Sequence, residues 1–319
     1  MNLFKKILDR IAFNRQTSPV DSPEIVDSPE IVDSPKIISS LKELDTFLEE
    51  AREAENDDAL RNVFKKFQMI FPYDLPNDPF SKEYRDQQFK FYEFLAGKPY
   101  AEVNEESVFD VEVAVANPFP FSTGSSETVG NQLMAVGHII KTMKLPIGSK
   151  VLEFGPGWGN TTLQLARTGF LVTAIDVESR FVELIAKRAK QKQVELDVRL
   201  GTFDFVYETD EQWDAVLFFE CFHHCADHIK LIKGLDNVVK PGGKVIFAAE
   251  PITDALTMPW GFRLDGESLW AIRSHGWCEL GFTESYFRTV MHDNGWKLSV
   301  ENCPNTPWGN IFVATRIDK

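Results

Sequence analysis

The chain has 319 residues, with 34 Lys and Arg against 48 Asp and Glu, a formal net charge of −14. Its 43 % hydrophobic content can fill a substantial core, and its acidity disfavours nucleic-acid binding, where affinity comes largely from basic side chains. Four cysteines (Cys221, Cys225, Cys278, Cys303) form no C-x-x-C pair, and no apolar run reaches the ~18 residues of a membrane span. These features read as a cytoplasmic protein with reduced thiols.

Residues 1–15 place Leu3, Phe4, Ile7, Leu8 and Ile11 at helical spacing, with four basic side chains against one acidic. Such a helix suits packing on a partner protein or lying at the inner face of an anionic membrane. A repeat follows: DSPEIV at 21–26 and 27–32, then DSPKII at 33–38. A proline every six residues denies a continuous helix, so residues 16–38 read as an extended linker. Over 39–124 the pattern is helical and irregular. Leu41, Leu44, Phe47 and Leu48 make one helical face and Leu60, Val63, Phe64, Phe67 and Ile70 another, with Asn56 to Asp58 as caps between them. A further helix is expected at 81–96.

From 125 onward the spacing becomes regular. Helix 127–144 is expected, then strand 151–154, helix 160–168, strand 171–176, helix 179–192 and strand 195–200. Strand 214–219, helix 226–239 and strand 244–250 follow. This alternation predicts an α/β fold with a doubly wound, mostly parallel seven-stranded sheet. Strands 296–302 and 309–316 are joined by too few residues for a crossover, so they should close the sheet as an antiparallel hairpin.

The strongest motif is Val151-Leu152-Glu153-Phe154-Gly155-Pro156-Gly157-Trp158-Gly159-Asn160, a strand running through three glycines into a helix. Glycines let a backbone approach a ligand closely, and the helix start offers free N–H groups. Asp176 ends the next strand, 21 residues beyond Gly155, a suitable offset for a carboxylate on ribose hydroxyls. The G-x-G-x-G spacing departs from the dinucleotide fingerprint. With Lys240-Pro241-Gly242-Gly243 and the terminal hairpin, the stretch 125–316 resembles the class I (Rossmann-like) S-adenosylmethionine-dependent methyltransferases. The resemblance implies S-adenosyl-L-methionine as cofactor and S-adenosyl-L-homocysteine as product. It implies cofactor contacts at Glu153, Gly155, Gly157, Gly159 and Asp176. Asp204 or the Thr202-Phe203 backbone would serve the adenine. Upstream, either the hydroxyls serve to cap the next helix, with Ser125 or Ser126 at the N-cap, or Ser122-Thr123-Gly124 closes over the sulfonium through Thr123.

After the fourth strand of that sheet come Glu220, Cys221, Phe222, His223, His224 and Cys225, at a carboxyl end where open α/β sheets bind ligands. His224 is read as general base, His223 as second choice and Glu220 as orienting group, for a hydroxyl acceptor that must lose a proton. No metal ligands are assigned. Residues 251–282 are too long for an ordinary connection, and they carry Trp260, Arg263, Trp270, Arg273, His275 and Trp277. Aromatic faces beside planar donors suggest a sugar or glycan acceptor, as in surface-polysaccharide biosynthesis. The alternatives are a small-molecule or protein N-methyltransferase, or a non-catalytic cofactor-binding subunit.

Overall fold

The computed structural model describes residues 34–317. The basic helix expected at 1–15 and the repeat up to residue 33 lie outside the described residues.

In chain order the elements begin with β1 (Lys36–Ile38), α1 (Leu41–Glu53), α2 (Asp57–Phe64) and β2 (Phe67–Met69). Next come α3 (Lys82–Ala96), α4 (Val111–Ala116) and α5 (Ser126–Met143). The Rossmann-like body is β3 (Lys150–Phe154), α6 (Asn160–Thr168), β4 (Leu171–Asp176), α7 (Ser179–Lys192), β5 (Asp197–Leu200), β6 (Trp213–Phe219), α8 (His228–Val238) and β7 (Val239–Ala248). Then come β8 (Trp260–Phe262), α9 (Gly266–Ser274), β9 (Leu280–Phe282), α10 (Glu284–Asp293), β10 (Trp296–Asn302) and β11 (Asn310–Arg316).

The sheet runs β10-β11-β7-β6-β3-β4-β5, with β11 antiparallel to both neighbours and the other adjacent pairs parallel. The strand order reverses between β3 and β6, which opens a crevice at their carboxyl ends. β3, β6 and β7 are buried on both faces, as expected of strands covered by helices on each side. Caps explain several helix starts. Ser40 accepts from Glu43 N, Asn56 from Ala59 N, Ser81 from Tyr84 N and Ser125 from Thr128 N.

Two expectations for the N-terminal region change. The end of the linker segment is a strand: Lys36–Ile38 pairs in parallel with Phe67–Met69, and Ile38 is buried. Phe67 and Ile70 do not extend a helix, because α2 stops at Phe64; Phe67 joins the strand and Ile70 is exposed. The boundary drawn at 124/125 is not a break in packing. One apolar cluster runs from Leu44, Leu48, Phe67 and Phe91 through Trp260, Leu269 and Phe282 to Phe218 and Phe247 of the sheet. Among the described residues no helix is long and apolar enough to cross a membrane.

Candidate active site

A cavity of about 640 Å³ opens at the switch point between β3 and β6, a size that encloses small-molecule ligands. Its floor is the loop after β3. Gly155 has φ +57°, and a Cβ there would stand 2.2 Å from Cys221 Sγ, so only glycine lets the two loops touch. Gly157, also at positive φ, donates its N–H to Asp176 Oδ2 at 3.1 Å. Asp176 Oδ1 accepts from Glu178 N at 2.9 Å, which fixes the carboxylate at the end of β4 with lone pairs remaining for a ligand. Burial pushes its carboxyl up to about 7, against the pull of those N–H donors. Glu153 is 2 % exposed and lines the cavity, yet its Oε2 has no hydrogen-bond partner among the described residues. Desolvation pushes this group up to about 7 as well. An unpartnered buried carboxylate oxygen is costly unless a ligand donor reaches it.

Gly159 lies outside the lining. A Cβ there would meet Ile185 at 2.5 Å, so it packs α6 against α7. Thr123 does not close over the cavity: its hydroxyl donates to Pro120 O and accepts from Ser125 N, an intraloop turn. Gly201, Thr202, Phe203 and Asp204 line the far end. Asp204 is engaged by Lys230 Nζ, 2.7 Å from both carboxylate oxygens.

At the other end, β6 delivers Glu220 in a left-handed backbone, φ +49°, a conformation that bulky residues adopt only under constraint. Trp308 Nε1, from the β10–β11 loop, donates to Glu220 Oε1 at 2.9 Å. Packing raises the Glu220 carboxyl to about 7 by desolvation, with the indole N–H pulling the other way. The group opens onto the cleft, so bulk water moderates the rise until a ligand covers it.

The turn after Glu220 is built on Glu250. That carboxylate accepts Cys221 N (2.9 Å), Phe222 N (2.8 Å) and His223 N (3.1 Å), and bonds His223 Nδ1 at 2.8 Å. Burial opposes its charge, but the His223 ring and the N–H donors hold it below the usual carboxylate range. His223 is thereby buried behind the wall and does not line the cavity, which removes it as a base. His224 does line it, with Nδ1 3.2 Å from Glu105 Oε2. Burial works against its charged form, but Glu105, then Glu279 and Glu250, outweigh that and push it up to about 9. At neutral pH His224 therefore carries its proton and cannot accept another. His228 is a packing residue; burial drives it down to about 3, and its Nε2 bonds Tyr286 Oη at 2.9 Å.

The five residues assigned to the acceptor turn elsewhere. Trp260 is buried against Tyr84 and His228, its Nε1 donating to Pro79 O. Arg263 pairs with Asp265 at 3.1 Å. Trp270 packs on Phe64 and His275, and His275 stacks on Trp277. Arg273 forks onto both oxygens of Asp45 and donates to Leu95 O. Trp260, Trp270 and Arg273 fasten the 251–282 insertion to the N-terminal helices, while Arg263 and His275 hold it together internally. None of the five lines the cavity; from the insertion, Trp277 does.

The roof comes instead from residues that the sequence pattern did not single out: Tyr100, Glu105, Phe109, Phe119 and Gln132. Ser107 N donates to Glu178 Oε2 at 2.9 Å and Asn160 Nδ2 to Phe119 O at 2.7 Å, tying this segment to the body. Phe109 stacks with Trp158 and Phe181 beside the glycine loop. Glu105 Oε1 accepts Cys278 N at 2.8 Å, joining roof and insertion.

Sheet order, reversed last strand and glycine-loop cavity together define the class I methyltransferase fold. Residues 152–247 match the family model of a methyltransferase domain, and this part of the chain is a class I S-adenosylmethionine-dependent methyltransferase domain. Among similar proteins, the ubiquinone biosynthesis O-methyltransferase of Coxiella burnetii (strain Dugway 5J108-111) is 27 % identical over 101 residues, 32 % of this chain and 43 % of that protein. Its counterpart from Xanthomonas axonopodis pv. citri (strain 306) is 32 % identical over 104 residues, 32 % and 44 % of the two chains. The chain thus matches under half the length of these relatives. A Methanosarcina mazei S-adenosylmethionine-dependent methyltransferase structure aligns at 17 % identity and TM-score 0.46, covering 57 % of this chain and 98 % of that one.

The residues present fit the family's cofactor. Glu153 Oε2 is an orphaned acceptor suited to an ammonium, and Asp176 is poised for ribose hydroxyls. The backbone around Gly155 and Gly157 permits close approach.

Proposed function

We propose that the chain is an S-adenosylmethionine-dependent O-methyltransferase whose acceptor is a hydroxyl on an aromatic small molecule. The observation that carries this reading is Glu220: a carboxylate on strained backbone, tethered by an indole N–H, at the cavity end opposite Asp204. When bound, the cofactor supplies an electrophilic methyl group on a sulfonium. The protein's part is to align the acceptor oxygen and remove its proton.

Glu220 takes the base role first given to His224, because a carboxyl near 7 is substantially ionised at neutral pH and can take up a proton, whereas His224 stays protonated. His224, held beside Glu105, places positive charge where an acceptor oxygen would lie. Tyr100, Phe109, Phe119 and Trp277 offer flat apolar surface, and Trp277 Nε1 has no protein acceptor. The names of the two quinone-pathway relatives support the same acceptor class. The sugar or glycan reading rested on Trp260, Arg263, Trp270, Arg273 and His275, which serve packing and ion pairing instead.

The test is S-adenosylhomocysteine binding by calorimetry, followed by transfer of labelled methyl to a panel of hydroxylated aromatics, nucleotide sugars and amines. Methylation of an aromatic hydroxyl is expected. Transfer to sugars or amines alone would overturn the acceptor class, and absence of cofactor binding would overturn the enzyme reading. Residues 1–15 are proposed as the attachment to an anionic membrane or a partner protein. Liposome co-sedimentation of the full chain, lost on removal of those residues, is the expected membrane outcome.

A further inference from the structure

The three carboxylates around His223 and His224 exceed what the methyl-transfer site uses. Glu250 meets His223 Nδ1 at 2.8 Å, Glu279 meets His223 Nε2 at 3.7 Å and Glu105 meets His224 Nδ1 at 3.2 Å. The three are nearly buried, with side chains 0 %, 9 % and 12 % exposed. The guanidinium of Arg263, 3.8 Å from Glu279, answers one of these charges and the protonated His224 ring beside Glu105 a second, which leaves one carboxylate in excess. Buried anionic surplus of this kind is stable only where a cation compensates it.

We propose that His223, His224 and Glu279 bind one divalent transition-metal ion, of the Zn²⁺ or Co²⁺ type. One ligand atom from each lies within 4.8 Å of the others, the one such grouping among the described residues. The two imidazoles are neighbours in a single 3-10 turn, their ring centroids 4.3 Å apart. Glu250 orients His223: an ionised carboxylate only accepts, so Nδ1 donates to it and the ring turns Nε2 toward Glu279. A carboxylate on the outer nitrogen of a histidine is the usual support of a metal-bound imidazole. His224 Nδ1 is buried on the same side, 3.2 Å from Glu105 Oε2.

Two imidazole nitrogens and one carboxylate favour Zn²⁺-like ions over Mg²⁺ or Ca²⁺, which want oxygen ligands throughout. Tetrahedral bonds of about 2.1 Å set ligand atoms about 3.4 Å apart, so small side-chain rotations close the set. Three protein ligands leave a fourth position, and of the three only His224 lines the cavity. The ion would then stand where the His224 proton otherwise places positive charge.

The test is made on full-length protein stripped with a chelator, dialysed and titrated with CoCl₂. One equivalent should bind with visible ligand-field bands, and ZnCl₂ should displace it. His223→Gln, His224→Gln and Glu279→Gln should each weaken Co²⁺ binding by tenfold or more. Far-UV circular dichroism and S-adenosylhomocysteine binding report that the variants are folded. His224→Gln, at the cavity wall, carries the test if a buried variant fails to fold. Absence of stoichiometric Co²⁺ binding by the wild type would overturn the proposal. So would wild-type affinity in a folded His223→Gln/His224→Gln double variant, or preference for MgCl₂. Metal binding is read on the protein alone, so its outcome is separable from that of the acceptor panel.

Discussion

Glu220 combines three features that rarely meet in one residue: positive φ, a tryptophan N–H on its carboxylate and an elevated proton affinity beside a cleft. Glu220→Gln keeps the Trp308 contact and the shape while removing the base. Turnover should fall by about 10²-fold or more, with S-adenosylhomocysteine affinity within about twofold of wild type. The base works deprotonated and a bound ligand covers it, so wild-type kcat should climb with pH through about 7 and level off above it. A flat profile, or a glutamine variant with full turnover, would remove Glu220 from the chemistry. At this scale the cofactor half was legible because Glu153, Gly155, Gly157 and Asp176 sit in one local strand–loop–helix pattern. The acceptor half was legible only in part. Glu220, His224 and Trp277 stood out in the sequence, whereas Glu105 and Trp308 come from distant segments, and nothing in their immediate neighbours marks them until the fold brings them together.

Among the elements, the insertion 251–282 is where composition misled. Its tryptophans and arginines suggested a binding surface, but Trp260, Trp270 and Arg273 are turned to α3, α2 and α1, and Arg263 pairs within the insertion. Arg273→Ala should therefore lower stability by about 1–3 kcal/mol, having lost a two-oxygen fork to Asp45 and a bond to Leu95 O. Its acceptor KM should stay near wild type. Trp277→Ala should do the reverse, raising acceptor KM about tenfold, and steady-state kinetics with thermal melts would separate the two. The long elements were readable from periodicity: α6, β4, α7 and β10 have the bounds that spacing alone predicts. The three-residue strands β1, β2, β8 and β9 were not, because three residues are too few to display a period.

At the scale of the whole molecule, the N-terminal helices, the insertion and the sheet share one core, so the first described strand belongs to the fold. Chains beginning after residue 38 should melt about 5 °C or more below chains beginning after residue 33, having lost the buried Ile38 and the β1–β2 pairing. Equal melting temperatures would show that the pair contributes nothing. The placement of tryptophans across this single body has a practical consequence. Trp158 and Trp277 look into the cavity, whereas Trp213 and Trp296 are sealed in the core. Of the seven tryptophans, these two pairs give intrinsic fluorescence indoles that sense an occupant and indoles that provide a constant background. Quenching on addition of S-adenosylhomocysteine, diminished in Trp158→Phe, would give an unlabelled optical titration of the site, its reference signal built into the same chain.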